Sequence, residues 1–495
     1  MSGISKEAVI GVVGAGAMGA GIAQVAAAAG HPVLLFDVQP GAAEKALGKI
    51  ASDLARLVEK GKFTAEYRDD LLARITVCSQ LEELAPSQLV IEAIVENVQV
   101  KRDLFQKLEA LVSPEAILTS NTSSLSITEI AAALAKPERF AGLHFFNPAP
   151  TMPLVEVVSG LQTSPSVAQA LFVTATAWGK QPVHVRNSPG FIVNRGARAF
   201  YGEALRVLEE HGADAPTIDA LLRANGFRLG PLELIDLVGL DINLAASRGI
   251  FDAHYGDPRY KPSALVQEMV SAGRLGRKTK SGFYEYGDAP KPEPKVLPES
   301  PAPKEITIHG DLGPAEALAP MWEAAGIIVK RAEGDAGISA GVMQLKLTNG
   351  GFADANAIHF DLSLDYPNCP LIALAVGEKT PPEAIALATG LFQAIGKQVV
   401  RVQDLPGMVV ARTICMLVNE AAESLHRGLS SAAEIDRAMT LGLNFPGGPL
   451  AWCDRLGAKY VLEVLDDMAA LYGEERYRAN ILLRRMAMNQ TKFHE

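Results

Sequence analysis

The sequence predicts an α/β domain followed by an all-α helical domain, with a second, degenerate copy of the helical domain behind it. Three observations predict this. A strand, glycine turn, helix, strand and acid open the chain. Helical periodicity takes over after Pro189. Beyond a proline-rich stretch, the helical segment recurs at a nearly constant offset.

The opening unit is AVIGVVGAGAMGAGIAQVAAAAGHPVLLFD, Ala8 to Asp37. Val9 to Val13 is an apolar, β-branched run. Gly14, Gly16 and Gly19 follow as G-x-G-x-x-G, then an alanine-rich helix from Ile22 to Ala29 with Gly30 suited to its C-terminal cap. A second apolar run, Val33 to Phe36, ends at Asp37. Gly14 permits the sharp turn, Gly16 lets a pyrophosphate approach the backbone, and Gly19 lets the helix lie close to the sheet. The helix N-terminus offers N–H groups and a partial positive charge to phosphates. Asp37 can accept hydrogen bonds from both ribose hydroxyls of NAD and repels the extra phosphate of NADP. The unit therefore reads as a Rossmann-type fold for NAD. The same uncharged stretch also resembles a signal peptide or membrane anchor. Its frequent glycines, the balanced Lys6-Glu7 and the amphipathic helix that follows argue against that.

With 495 residues the chain is long enough for several domains. Its net charge of −10, with no basic block, argues against nucleic acid but leaves room for anionic small ligands. Cys78, Cys369, Cys415 and Cys453 have no paired spacing and read as reduced core residues of a cytoplasmic protein. No later run is apolar and long enough to span a membrane, and no His, Cys and carboxylate cluster has metal-ligand spacing.

Pro40 to Lys60 has the periodicity of a long helix, with Leu47, Ile50, Leu54, Leu57 and Val58 on one face. Lys60 and Lys62 at its end are either solvated or in contact with an anionic substrate handle. Ile75–Cys78, Leu89–Ile94 and Ile117–Ser120 read as buried strands, and Glu96, Lys101 and Ser123 follow the last two. Polar residues at the carboxyl ends of parallel strands face a ligand crevice. Ser123 and Ser124 also suit a helix cap ahead of Ile127. His144 lies within the strand Phe140–Phe146, and Glu156 lies in LVEVV, Leu154–Val158. A carboxylate between apolar neighbours needs a partner, and a His–carboxylate pair fixes a tautomer and stabilises an imidazolium.

These residues resemble the L-3-hydroxyacyl-CoA dehydrogenase family. The matching stretches are GVVGAGAMGAGIA, LVIEAIVENVQVK, SNTSSLSI, FAGLHFFNPAP, LVEVV, SPGFIVNR and GPLELIDLVGLD, spread over Val9 to Tyr286. The resemblance implies that His144 takes the 3-hydroxyl proton as hydride leaves C3 for NAD, and that Glu156 orients His144. It implies that Ser123 and Asn194 hold substrate oxygens and that Asn147 lies at the nicotinamide end. Glu96, Lys101 and Lys278 match positions that touch NAD, and family contacts to the CoA handle fall near Lys60 and Lys62. The long, duplicated form implies 3-hydroxyadipyl-CoA from phenylacetate breakdown as the substrate, with 3-hydroxybutyryl-CoA as the alternative. For a substrate ending in a carboxylate, Arg198, four residues after Asn194, is the candidate cation; the other reading is an ordinary ion pair on a helix. A non-catalytic, NAD-binding structural protein is the alternative from another class. No hydratase segment stands before Ala8, so a dehydrogenase alone is expected, not a trifunctional fatty-acid oxidation enzyme.

The expected boundaries are 1–187 for the NAD-binding domain, 188–286 for the helical domain, 287–304 for a solvated linker, 305–400 for a degenerate α/β remnant and 401–495 for the second helical copy. Ser188-Pro189-Gly190-Phe191 aligns with Leu405-Pro406-Gly407-Met408, Glu203 with Glu420, Asp219 with Asp436, and Gly230-Pro231-Leu232 with Gly448-Pro449-Leu450, at offsets of 217 or 218. In this alignment Asn194 meets Ala411, His144 meets Asp361 and Glu156 meets Ala373, so the copy has lost its chemistry. Residues 401–495 are expected to take the place of a partner subunit's helical domain, giving an internal pseudo-dimer. Homodimerisation of the whole chain is left open.

Overall fold

The computed structural model describes residues 3–288 and 290–494. The chain forms two bodies, the first running up to Arg195 and adding Gly428–Leu443, the second made of Gly196–Arg427 and the chain from Asn444 onward.

The first body is built on an eight-stranded sheet. In chain order it carries β1 (Ile10–Val13), α1 (Ala17–Ala28), β2 (Val33–Phe36), α2 (Ala42–Glu59), α3 (Ala65–Ala73), β3 (Ile75–Cys78) and β4 (Leu89–Glu92). Then come α4 (Val98–Leu111), β5 (Ile117–Ser120), α5 (Ile127–Ala131), β6 (Phe140–Phe145), β7 (Leu154–Ser159), α6 (Pro165–Ala177) and β8 (Gln181–Arg186). The strand order is β3-β2-β1-β4-β5-β6-β7-β8. Only the β6–β7 pair is antiparallel, and its register sets His144 opposite Glu156. The buried strands are the near-continuous apolar runs that a covered parallel sheet requires. The opening helix starts five residues earlier than its alanine run suggests, because the last two glycines of the turn belong to its cap and first turn.

Helix α7 (Val193–Glu209) begins in the first body and runs into the second. It starts three residues later than expected, since Gly190 and Phe191 both take positive φ, +75° and +51°. A left-handed Phe costs of order 1–3 kcal/mol, so the surrounding structure must enforce it. The repeat keeps this turn, with Gly407 at +75° and Met408 at +48°.

The second body carries α8 (Ala215–Ala224), α9 (Pro231–Val238), α10 (Leu240–Ala253) and α11 (Ala264–Ser271). A mixed sheet follows, with β9 (Glu305–His309), α12 (Leu318–Ala324), β10 (Ile328–Ala332), β11 (Gly337–Ala340), β12 (Met343–Leu347), β13 (Ile358–Phe360), β14 (Leu371–Val376), α13 (Pro382–Gln393) and β15 (Gln398–Arg401). The chain ends with α14 (Val410–His426), α15 (Ala432–Leu443), α16 (Pro449–Leu456), α17 (Ala458–Tyr472) and α18 (Ile481–Asn489). Thus the segments expected as separate units from 196 onward form one body, apart from α15, which belongs to the first. There α15 packs on β7 and β8, and a Cβ built at Gly442 would lie 2.9 Å from Val193 and 3.0 Å from Leu154. In the second body α8 packs in the same way on β14.

Two further readings gain detail from the structure. The stretch 287–304 is not simply solvated: Leu297 N–H donates to Val399 O at 2.7 Å, and Gln393 Nε2 donates to Pro298 O at 3.0 Å. The repeat also starts before the helices. β13–β14–β15 repeats β6–β7–β8, antiparallel then parallel, with α13 in the place of α6. Lys180 and Lys397 make the same buried contacts, each ammonium donating to backbone carbonyls, those of Ala149 and Met152 and those of Tyr366 and Cys369.

This extended repeat explains Asp361. Its N–H donates to Ala373 O, so Asp361 and Ala373 occupy the places of His144 and Glu156. The Asp361 carboxylate accepts N–H bonds from Val409, Val410 and Ala411 at 3.0, 2.8 and 3.0 Å, the start of α14, and from Leu362 at 2.9 Å. Burial pushes this carboxyl up to about 6 from an ordinary 3.8, against the pull of those four donors. The folded chain therefore binds this proton more tightly than the unfolded one. Its stabilisation is complete below the ordinary value and is lost as pH rises through about 6. The Tm gap between wild type and Asp361→Asn should be widest near about pH 4 and should narrow by about pH 7. A gap that is constant over this range contradicts the assignment.

Candidate active site

The first body gathers a glycine turn, a buried acid–base pair and a polar strand end. At the turn, Gly14 has φ +101°, and a Cβ there would lie 2.5 Å from Ala93 O. A Cβ on Gly19 would lie 1.7 Å from Gly14 O, so the helix and turn can approach only through a bare Cα. At Gly16, among the described residues, no atom beyond its chain neighbours comes within 4 Å of such a Cβ. No side chain among them caps α1, and its first turn holds no acid. Uncapped N–H groups, an open approach at Gly16 and the helix dipole fit a pyrophosphate. Asp37, at the end of β2, accepts from Ala15 N–H at 2.6 Å and Gln39 N–H at 2.9 Å, which fixes its carboxylate beside the turn. Each oxygen keeps a lone pair for a ribose hydroxyl.

Glu96 organises the ends of β4 and β5. It accepts from the hydroxyls of Thr122 and Ser124 at 2.5 and 2.9 Å and from Ser123 N–H at 3.1 Å. Burial pushes its carboxyl up, but the Lys101 ammonium and these donors hold it below its ordinary value. Lys101 is 1% exposed, with its ammonium on Glu92 at 2.5 Å and on Glu96 at 3.3 Å. It therefore stands behind Glu96 rather than presenting a free cation. Glu92, fully buried, also accepts from the Ser120 hydroxyl at 2.6 Å. Its only sequence signal is an acid closing an apolar strand. The cap of α5 is Ser126, not Ser123 or Ser124, because both of those N–H groups turn toward Glu96. Asn121 Oδ1 accepts from Phe145 N–H at 2.8 Å and ties the end of β5 to β6.

His144 Nδ1 lies 2.7 Å from Glu156 Oε2. The ring is 5% exposed, and Phe146 and Phe191 lie 4.5 and 5.7 Å away by ring centroids. Glu156 is fully buried, and its other oxygen accepts N–H bonds from Ile192 and Val193 at 3.0 and 3.2 Å. One carboxylate thus fixes the imidazole and caps α7. The next residue, Asn194, donates from Nδ2 to Ser123 O at 3.3 Å. His144, Glu156, Asn194, Ser123 and Glu96 are therefore tied together through the strand ends and the start of α7.

The other candidates fall elsewhere. Lys60 and Lys62 are exposed just after α2, and Asn147 is exposed just after β6. Lys278 belongs to the second body, where Asp241 holds its ammonium at 2.5 and 2.6 Å, so it is not a free cation either. Arg198 also lies in the second body and is buried. All four cysteines are buried. Among the described residues no cluster suits a metal ion and no helix is long and apolar enough to cross a membrane.

A Rossmann-type body with an open phosphate turn and a buried imidazole–carboxylate pair defines an NAD-dependent dehydrogenase of alcohols. Comparison with known proteins narrows this. The chain belongs to the 3-hydroxyacyl-CoA dehydrogenase family. Residues 9–188 match the family's NAD-binding domain, and residues 190–286 and 407–492 both match its C-terminal domain. Residues 345–406 match the 3-hydroxybutyryl-CoA dehydrogenase reduced Rossmann-fold domain, the shortened α/β remnant expected from sequence. The chain is 41% identical to the 3-hydroxyadipyl-CoA dehydrogenase of Escherichia coli, over 98% of both chains. A crystal structure of 3-hydroxybutyryl-CoA dehydrogenase from Escherichia coli K12 superposes with a TM-score of 0.89, at 40% identity, over 98% of both chains. That of (S)-3-hydroxybutyryl-CoA dehydrogenase from Ralstonia eutropha, 41% identical, matches 57% of this chain and 99% of its own, with a TM-score of 0.55.

The last two glycine positions should separate on substitution. Gly16→Ala should fold with an unchanged Tm but bind NADH at least about tenfold more weakly, read by NADH fluorescence, because the methyl enters the phosphate approach. Gly19→Ala should lose both Tm and binding, because its methyl meets backbone. Equal Tm in the two variants would contradict this account of the turn.

Proposed function

We propose that the chain oxidises the 3-hydroxyl of (S)-3-hydroxyadipyl-CoA to the 3-oxo thioester, with His144 as the base. The observation that carries the mechanism is the buried His144–Glu156 pair. Glu156 accepts a hydrogen bond from His144 Nδ1–H, which leaves Nε2 with a lone pair to take the hydroxyl proton. The carboxylate then stabilises the imidazolium. NAD, when bound, supplies the acceptor for the hydride that leaves C3. Gly14, Gly16, Gly19 and Asp37 hold that cofactor, Asn147 lies at its nicotinamide end, and Glu96, backed by Lys101, completes its site. Ser123 and Asn194 hold the substrate's oxygens, and Lys60 and Lys62 offer ammonium groups to the CoA phosphates. The dicarboxylic acyl chain is favoured by the full-length relative named for 3-hydroxyadipyl-CoA. The intact pair disfavours a purely structural NAD-binding role.

NADH formation should be seen with both acyl-CoA substrates, with the higher kcat/KM for 3-hydroxyadipyl-CoA. His144→Gln should lower kcat by about 10²–10⁴-fold while leaving NADH affinity unchanged. A variant with wild-type kcat sinks the role of His144, and a preference for the butyryl substrate sinks the choice of acyl chain.

We also propose that residues 401–495 replace the helical domain of a second subunit. Reciprocal contacts support this reading. Glu203 of α7 accepts from Arg476 at 2.7 and 2.9 Å and lies 3.4 Å from Arg412, while Glu420 of α14 accepts from Tyr260 at 2.9 Å. Breaking such buried pairs by removing one side costs about 3–5 kcal/mol. Residues 1–286 expressed alone should aggregate or self-associate, as sedimentation will read. A stable, active monomer would end the proposal.

A further inference from the structure

Glu156 fixes one atom of the base. It holds His144 Nδ1 at 2.7 Å, but one hydrogen bond leaves an imidazole able to swing about it, because the ring torsion of histidine has a broad well. Nε2 must point one way to take a proton, and a misplaced reacting atom slows the reaction. A second restraint on the ring is therefore needed.

Two aromatic rings supply it. Phe146 lies 4.5 Å from the imidazole with an interplanar angle of 50°, and Phe191 lies 5.7 Å away at 58°. Phe191 is 1% exposed. Its backbone is left-handed, with φ +51°, a conformation that glycine takes without strain and a bulky residue does not. The turn alone does not call for a phenylalanine, so the ring serves something else.

The second copy shows what that is. It keeps the turn, with Met408 at φ +48°. The next N–H groups, from Val409 and Val410, go to Asp361 as those of Ile192 and Val193 go to Glu156. At the offset of 217 that pairs Phe191 with Met408, His144 meets Asp361 and Phe146 meets Ser363. Where the imidazole is gone, both aromatic neighbours are gone with it, although the helix cap and the strained turn remain. Cap and turn are served by a flexible methionine. The aromatic ring goes with the imidazole.

We infer that Phe191 is a positioning residue for the reaction. Its ring, with that of Phe146, holds the plane of the His144 imidazole so that Nε2 stays aimed at the 3-hydroxyl. The inference deepens the proposed function and rests on its assignment of His144 as the base.

The test uses the full chain. Phe191→Met borrows the side chain that the second copy carries on the same backbone, and Phe191→Tyr keeps the ring. Phe191→Met should lower kcat for 3-hydroxybutyryl-CoA about tenfold, with KM for the acyl-CoA and NADH affinity within about twofold of wild type. Phe191→Tyr should keep at least about half of the wild-type kcat. Added to His144→Gln, Phe191→Met should cost less than about a further twofold, because the ring it holds is absent. A kcat unchanged by Phe191→Met, an equal loss in Phe191→Tyr, or a loss of the same size with and without His144 overturns the role. Should Phe191→Met fail to fold, Phe191→Leu takes its place with the same expectations. Should wild type oxidise no acyl-CoA, the base assignment fails and the ring is read directly by NMR of protein labelled at histidine Cε1. The His144 resonance, identified by its loss in His144→Gln, should be sharp in wild type and exchange-broadened or doubled in Phe191→Met. One equally sharp resonance in both overturns the inference.

Discussion

The buried carboxylate of Glu156 is the constraint on which the site depends. It is shared between an imidazole and the first N–H groups of a helix. A buried carboxylate is tolerable only when its lone pairs are used. Here one oxygen satisfies the start of α7 and the other fixes His144. The helix start thereby sets the position of the ring, and the residue that follows, Asn194, is tied to Ser123. His144, Glu156, Asn194, Ser123 and Glu96 are thus joined by hydrogen bonds at a single sheet end.

The second half separates the two duties of that carboxylate. Its helix start is capped by Asp361, which stands at the position of the histidine, while the position of the glutamate holds Ala373. The acid has moved across one strand pair, and the cap has survived without the base. The strained turn survives as well, in Phe191 and in Met408. What both halves keep at this junction is a buried carboxyl group that accepts the first N–H groups of the helix. In the mechanism proposed above, the imidazole is the addition that makes this junction reactive.

Much of this was legible in the sequence. The glycine turn is a local pattern whose spacing leaves few alternatives: Gly14 and Gly19 meet backbone closely, and the approach at Gly16 is open. His144 and Glu156 were legible because each interrupts an apolar strand, and neighbouring strands solve such interruptions together. Other features depend on three-dimensional neighbours. Column-by-column alignment sets Asp361 against His144 and reads only loss, since an acid that changes strands keeps its function but not its column. Lys101 looks like a free cation until Glu92 is found beneath it. Ser126 could not be separated from Ser123 and Ser124 as a cap until Glu96 claimed the other two N–H groups. The proline-rich stretch reads as solvated by composition, yet Leu297 is drawn onto β15.

The placement of α15 makes the second half more than a passive filler. Gly442, nearly 250 residues beyond α7's first turn in sequence, can take a methyl only if Val193 or Leu154 shifts. Val193 is one of the two residues whose N–H groups grip Glu156. Drift in the half that lost its own reaction is therefore policed by the half that kept it. A change at such a position would register as damage to the base, although the residue itself carries no chemistry.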